Sequence, residues 1–150
     1  HIGIMMARLG YAKNKEEAIT EYINQIHFKN KYVRPEDAIR AILDSGGIPV
    51  LAHPPYGSGD QLILGDELKL RVEKLMSYGL LGLETFYSEF TDKLQNDVLA
   101  LAEAKGLYVT AGSDYHGKNK LVALGETGLS NAEDMPESLN AFLKDVMKRR

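Results

Sequence analysis

Leu107-Tyr108-Val109-Thr110-Ala111-Gly112-Ser113-Asp114-Tyr115-His116-Gly117 joins an apolar run to an acid and an imidazole two residues apart. The apolar run predicts a buried strand, with the chemistry at its carboxyl end. Side chains alternate along an extended chain, so Asp114 and His116 share a face if that geometry continues past the strand. A carboxylate and a neutral imidazole are ordinary ligands for zinc, manganese or iron. The same spacing also suits a plainer arrangement, in which Asp114 caps a turn and His116 is a surface residue.

Two earlier segments repeat the pattern. Ile48-Pro49-Val50-Leu51-Ala52 reads as a strand that runs into His53-Pro54-Pro55-Tyr56-Gly57-Ser58-Gly59-Asp60, where proline and glycine forbid regular structure. Leu81-Gly82-Leu83-Glu84-Thr85-Phe86 reads as a second strand with Glu84 near its carboxyl end. Helical stripes separate these strands. Ala38, Ile39, Ile42 and Leu43 follow Pro35; Leu68, Val72, Leu75 and Met76 end near Gly79; Leu94, Val98, Leu101 and Ala102 end at Gly106. Leu121 to Leu124 reads as one more short strand. A final helix opens around Asp134, Pro136 and Glu137, and carries Leu139, Phe142, Leu143 and Val146.

Helices alternating with apolar strands predict an α/β fold, a parallel sheet covered by helices. Ahead of it, Ile2, Met5, Met6 and Leu9 mark a short amphipathic helix closed by Gly10, and Asn14 opens a second with Ile19, Tyr22, Ile23 and Ile26 on one face. Residues 1–33 are therefore expected to form a helical segment and residues 34–150 the α/β part. The 150 residues, 44% of them hydrophobic, suffice for one core but fall short of the roughly 250 of a complete eight-stranded barrel.

A net charge of −3 provides no broad basic field, which argues against long duplex nucleic acid and leaves small phosphorylated substrates open. The absence of cysteine excludes disulfides and thiolate ligands, and fits a reducing, cytoplasmic setting. No apolar run approaches the roughly 20 residues of a membrane helix, so no membrane association is expected.

In α/β folds, sites gather at the carboxyl ends of the strands. Here that rule delivers His53, Glu84, Asp114 and His116 to one rim. His53, Asp114 and His116 are the candidate metal ligands, and a cation there suits hydrolysis of a phosphoryl or acyl group. Glu84 is read as supporting a ligand or neighbouring backbone rather than binding the ion. Lys118 and Lys120 follow closely enough to meet an anionic substrate, and Tyr56 and Tyr115 can line a pocket or stack on a base. Gly57-Ser58-Gly59 lacks the lysine and helix of a phosphate-binding loop and reads as a turn. His27, among polar residues, reads as exposed.

Gly46 to Pro54, Gly79 to Glu84 and Gly106 to Gly117 together resemble, in order and spacing, the later motifs of the PHP (polymerase and histidinol phosphatase) phosphoesterases. The segment from His1 to Ala12 resembles the helical insertion of the branch containing nucleoside-bisphosphate phosphatases and 5′ RNA exonucleases. The resemblance implies the carboxyl-terminal part of a distorted seven-stranded β/α barrel holding two or three manganese, iron or zinc ions. It implies metal-ligand roles for His53, Asp114 and His116, with Asp114 and His116 at the catalytic centre. The substrate implied is a nucleotide, a small phosphorylated metabolite or a short oligonucleotide.

No His-x-His occurs in the sequence, and Glu84 does not match the family's bridging glutamate. The chain is therefore expected to lack an amino-terminal half, to be inactive alone, and to meet that half or a second copy of itself. A non-catalytic binding or assembly domain on the same scaffold is the alternative, and an amidohydrolase-like metal hydrolase a further one.

Overall fold

The computed structural model describes residues 2–26, 32–57 and 61–149. His27, Ser58 and Gly59, each given a role above, lie outside the described residues. The chain divides into two compact units, His1–Tyr32 and Val33–Arg150. Among the described residues, no helix is long and apolar enough to cross a membrane.

In the first unit, α1 spans Ile2–Arg8 and α2 spans Lys15–Glu17. Asn14 caps α2, its side chain accepting the Glu17 N–H at 2.8 Å. The single second helix expected from the Ile19 to Ile26 stripe does not form. The chain widens into a π-turn over Ala18–Tyr22 and tightens into a 3₁₀ turn over Ile23–Gln25. Thr20 Oγ1 donates to the Glu16 carbonyl at 3.1 Å, the kind of side-chain bond that competes with the helical ladder. Gly3 packs where a Cβ would stand 3.2 Å from the Lys15 carbonyl, so its lack of a side chain lets α1 and α2 approach.

The second unit runs α3 (Pro35–Asp44), β1 (Val50–Leu51), α4 (Gly65–Ser77), β2 (Gly82–Tyr87), α5 (Asp92–Ala104), β3 (Tyr108–Gly112) and α6 (Glu137–Lys148). The three strands form a parallel sheet in the order β1-β2-β3, with Leu51 beside Leu83 and Leu83 beside Val109. Parallel neighbours need a crossover, and α4 and α5 supply the two required. The register slips between Glu84 and Phe86, leaving Thr85 without a partner on β3. Among the described residues these three strands form an open sheet and do not close a barrel.

Helix ends follow the sequence signals. Thr91 accepts the Leu94 N–H at the start of α5. Gly106, at φ 63°, takes the left-handed conformation that stops α5, and the Leu107 N–H returns to the Ala102 carbonyl at 2.9 Å. The core lies between sheet and helices: Leu83 and Val109 from the strands meet Val72, Val98, Ala102 and Leu139, all buried. At the far end of the unit, Arg149 Nη1 donates to the Gly46 carbonyl at 2.7 Å, tying the end of α6 to the turn before β1.

Three boundaries differ from the sequence reading. β1 is only Val50–Leu51, because Pro49 has no N–H for the ladder and His53 turns left-handed at φ 32°. Leu121 to Leu124 is not a strand. Its backbone closes on itself, the Glu126 N–H donating to the Ala123 carbonyl at 3.1 Å while the Glu126 side chain accepts the Ala123 N–H at 2.9 Å, and Leu121 is fully exposed. Asp134 belongs to a 3₁₀ turn at Ala132–Asp134, and α6 begins after Pro136, whose ψ of 156° is extended.

Candidate active site

Parallel strands point their carboxyl ends the same way, so the residues following β1, β2 and β3 share a rim. His53 leaves β1 and donates its backbone N–H to Glu84 Oε2 on β2 at 2.9 Å. The other Glu84 oxygen lies over Gly112 of β3, so close that a Cβ there would collide with it. Glu84 thus crosses all three strands. Burial pushes its carboxyl above the usual carboxylate range, against the lowering effect of the His53 N–H.

His53 and Asp114 are the non-glycine residues with positive φ among those described, 32° and 51°. Such backbones cost about 1–3 kcal/mol each and persist where the surroundings over-determine them. Two buried prolines, Pro54 and Pro55, hold the first turn. Around the second, Ser113 is buried and its carbonyl accepts from Ser88 Oγ at 3.0 Å. Nδ1 of His53 is buried with no hydrogen-bond partner among the described residues, while the ring packs 5.5 Å from Tyr87 and 6.1 Å from Tyr56.

Asp114 is the electrostatic centre. Its Oδ2 accepts from Lys120 Nζ at 2.7 Å and from the Tyr87 hydroxyl at 3.2 Å. The Lys120 hydrogen bond outweighs partial burial and holds the Asp114 carboxyl below its ordinary range. Lys120 also reaches Tyr87 Oη at 2.7 Å and Glu89 Oε1 at 2.9 Å, with its ammonium 4.8 Å from the centre of the Tyr87 ring. Burial works against the ammonium charge, yet the bonds to Asp114, Tyr87 and Glu89 prevail and raise its pKa.

His116 Nδ1 lies 2.6 Å from the Asp114 carbonyl. A carbonyl only accepts, so Nδ1 must carry the proton, and in the neutral ring Nε2 keeps its lone pair. That tautomer leaves Nε2 free for a cation. The donor types therefore fit a divalent metal, two imidazoles and a carboxylate. Their placement does not complete one: among the described residues no group of three or more His, Cys, Asp or Glu side chains could hold an ion.

The rim brings together His53, Glu84, Asp114 and Lys120. Lys118, on the 3₁₀ turn Gly117–Asn119, is exposed and forms no ion pair among the described residues, and Tyr115 is half exposed. Tyr87 and Glu89 escaped the sequence reading. Extending the strand-end rule one residue past Phe86 would have found Tyr87. Glu89 carried no local signal.

No family model matches the chain. Over 87 residues, 58% of this chain and 30% of the relative, it is 38% identical to the phosphoribosyl 1,2-cyclic phosphate 1,2-diphosphodiesterase of Eggerthella lenta. A structure from Bifidobacterium adolescentis, assigned as a metal-dependent phosphoesterase, superposes with a TM-score of 0.65 at 26% identity, over 97% of this chain and 49% of that one. An amidohydrolase from Chromobacterium violaceum, solved with sulfate and no metal, gives a TM-score of 0.65 at 20% identity over 98% and 49%, a likeness of fold alone. The chain thus spans about half of each solved structure and less of the curated relative. With two phosphoesterases among these relatives, the resemblance to the PHP phosphoesterases holds.

Proposed function

We propose that this chain is part of a metal-dependent phosphoesterase, supplying His53, Asp114 and His116 to a cation centre on a β/α barrel rim. The observation that carries the reading is the 2.6 Å contact between His116 Nδ1 and the Asp114 carbonyl, from which a proton on Nδ1 and a free lone pair on Nε2 follow for the neutral ring. The buried Nδ1 of His53 on the same rim, with no hydrogen-bond partner among the described residues, supports it. A bound divalent cation supplies Lewis acidity toward a phosphoryl oxygen.

The chain's own residues prepare the place. Lys120 holds the Asp114 carboxyl below its ordinary range through a 2.7 Å hydrogen bond. Glu84 fixes the backbone of His53. Lys118 and Tyr115 are accessible to an anionic substrate: a nucleotide, a small phosphorylated metabolite or a short oligonucleotide. Because no three ligands cluster among the described residues, the remaining ones come from another segment or another copy, and this chain alone is inactive.

The test compares the longer parent protein with the 150-residue chain in manganese-supplemented phosphate-release assays. The parent alone should release phosphate. Asp114→Asn in the parent should lower kcat/KM by about two orders of magnitude with an unchanged melting temperature. Full activity in that variant would overturn the assignment, and carbonyl substrates preferred over phosphate esters would overturn the reaction class.

A further inference from the structure

Tyr87 closes β2 and is 4% exposed. It touches one residue beyond each neighbouring strand. Its ring packs 5.5 Å from the His53 imidazole after β1, and its hydroxyl lies 3.2 Å from Asp114 Oδ2 after β3. Phe90 meets the ring edge-on at 5.1 Å and Tyr56 does so at 5.8 Å. An aromatic side chain enclosed in this way has little freedom, so packing fixes where its hydroxyl points.

The direction of the hydrogen bonds follows from the donors present. An ammonium only donates, so Tyr87 Oη accepts from Lys120 Nζ at 2.7 Å and keeps its own proton for another oxygen. Asp114 Oδ2 at 3.2 Å is nearer than Glu89 Oε2 at 3.4 Å. Asp114 Oδ2 therefore accepts from both Lys120 and Tyr87, which fills that oxygen. Oδ1 lies toward His116, 3.4 Å from Nδ1, and the Nδ1 proton goes to the Asp114 carbonyl, so Oδ1 keeps its acceptor capacity. Lys120 also fixes Oδ2, but its charge opposes a second cation beside the same carboxylate. The neutral Tyr87 hydroxyl positions the carboxylate without that repulsion.

We infer that Tyr87 is a positioning residue of the cation centre: its hydroxyl holds Asp114 Oδ2 so that Oδ1 is left for the cation, and its ring holds His53. The inference rests on the phosphoesterase reading and adds a residue that acts through two of the candidate ligands. The probe is manganese, titrated into the parent protein and read as free Mn(II) by electron paramagnetic resonance. Tyr87→Phe, which keeps the ring and loses the hydroxyl, should weaken manganese binding about tenfold to a hundredfold. Tyr87→Leu, which gives up the ring against His53 as well, should weaken it further. Tyr108→Phe, which loses a hydroxyl bonded to Asp145 on the opposite side of the unit, should bind as wild type does. A second measurement needs no variant to fold: in wild type loaded with diamagnetic zinc, the Tyr87 hydroxyl proton should stay protected from exchange in NMR of tyrosine-labelled protein.

Wild-type affinity in Tyr87→Phe, or a Tyr87 hydroxyl proton that exchanges freely in the zinc-loaded protein, would overturn the inference. If the parent nonetheless binds manganese and releases phosphate, the phosphoesterase reading stands without it. Equal weakening in Tyr87→Phe and Tyr108→Phe marks a general loss of stability and also overturns the positioning role. A wild-type parent that binds no manganese and hydrolyses no phosphate ester removes the reading, and the inference falls with it.

Discussion

Lys120 Nζ stands 2.7 Å from Asp114 Oδ2 and 2.9 Å from Glu89 Oε1, so one ammonium bridges a candidate metal ligand and a second carboxylate. The lysine's own side chain is 18% exposed, which makes the bridge a partly desolvated one. Two consequences of the rim and two of the scaffold are open to measurement.

Lys120→Met should raise the Asp114 carboxyl pKa toward the ordinary value of about 3.9, read by carbon-detected NMR titration. The loss of stability at pH 7 should be about 1–2 kcal/mol by urea unfolding. The sign follows from both partners. The depressed Asp114 stabilises above its unfolded pKa and loses that contribution as pH falls through its folded value. The raised Lys120 stabilises below its unfolded pKa and loses it as pH rises through its folded value. The difference between wild type and variant should therefore be flat from about pH 5 to about pH 9 and shrink outside that window. A difference that grows in acid would contradict the pairing.

Gly112→Ala should drive the Glu84 carboxylate off β3 and release the His53 N–H. The expected cost is about 1–3 kcal/mol, with faster hydrogen exchange at the His53 amide. In a Glu84→Ala background the same substitution should cost little, since the colliding atoms are gone. Equal costs in both backgrounds would show that the two residues are not coupled.

On the opposite side of the unit, the Tyr108 hydroxyl donates to Asp145 of α6. That bond, followed by the one from Lys148, holds the Asp145 carboxyl below its usual range. Tyr108→Phe should raise the Asp145 pKa in an NMR titration while Lys148 keeps part of the depression. The stabilisation from Asp145 is present above its unfolded pKa and lost as pH falls through the folded one, so the variant should lose less stability on acidification than wild type.

Leu83→Ala removes a side chain with no exposed surface at the middle strand of the sheet. The expected destabilisation is about 2–5 kcal/mol by urea unfolding, with an unchanged denaturant slope. A loss under 1 kcal/mol would mean that the sheet does not pack as described.

Local periodicity made much of the scaffold legible. The apolar run before Gly112 became β3, and Gly106 ended α5, because strand burial and helix termination depend on neighbours in sequence. Leu121 to Leu124 misled because apolar content alone does not supply a strand to pair with. The second helix misled because a stripe of isoleucines cannot reveal that Thr20 bonds back to Glu16. At the site, His53, Glu84, Asp114 and His116 could be named from strand ends. Tyr87 needed the strand-end rule carried one residue past Phe86, and Glu89 could not be named, since it meets Lys120 only after the chain has passed through α5 and β3.

The sequence by itself determined the order of helices and strands and the rim on which the acids and imidazoles would lie, because parallel strands joined by crossovers have one common carboxyl end. Only the tertiary structure decided how the charge at that rim is balanced. Lys120 reads in sequence as a solvent-facing partner for a substrate anion. In the fold it is Asp114's counter-ion, because partial burial beside Tyr87 and Glu89 makes a paired ammonium favourable where an unpaired carboxylate would be costly.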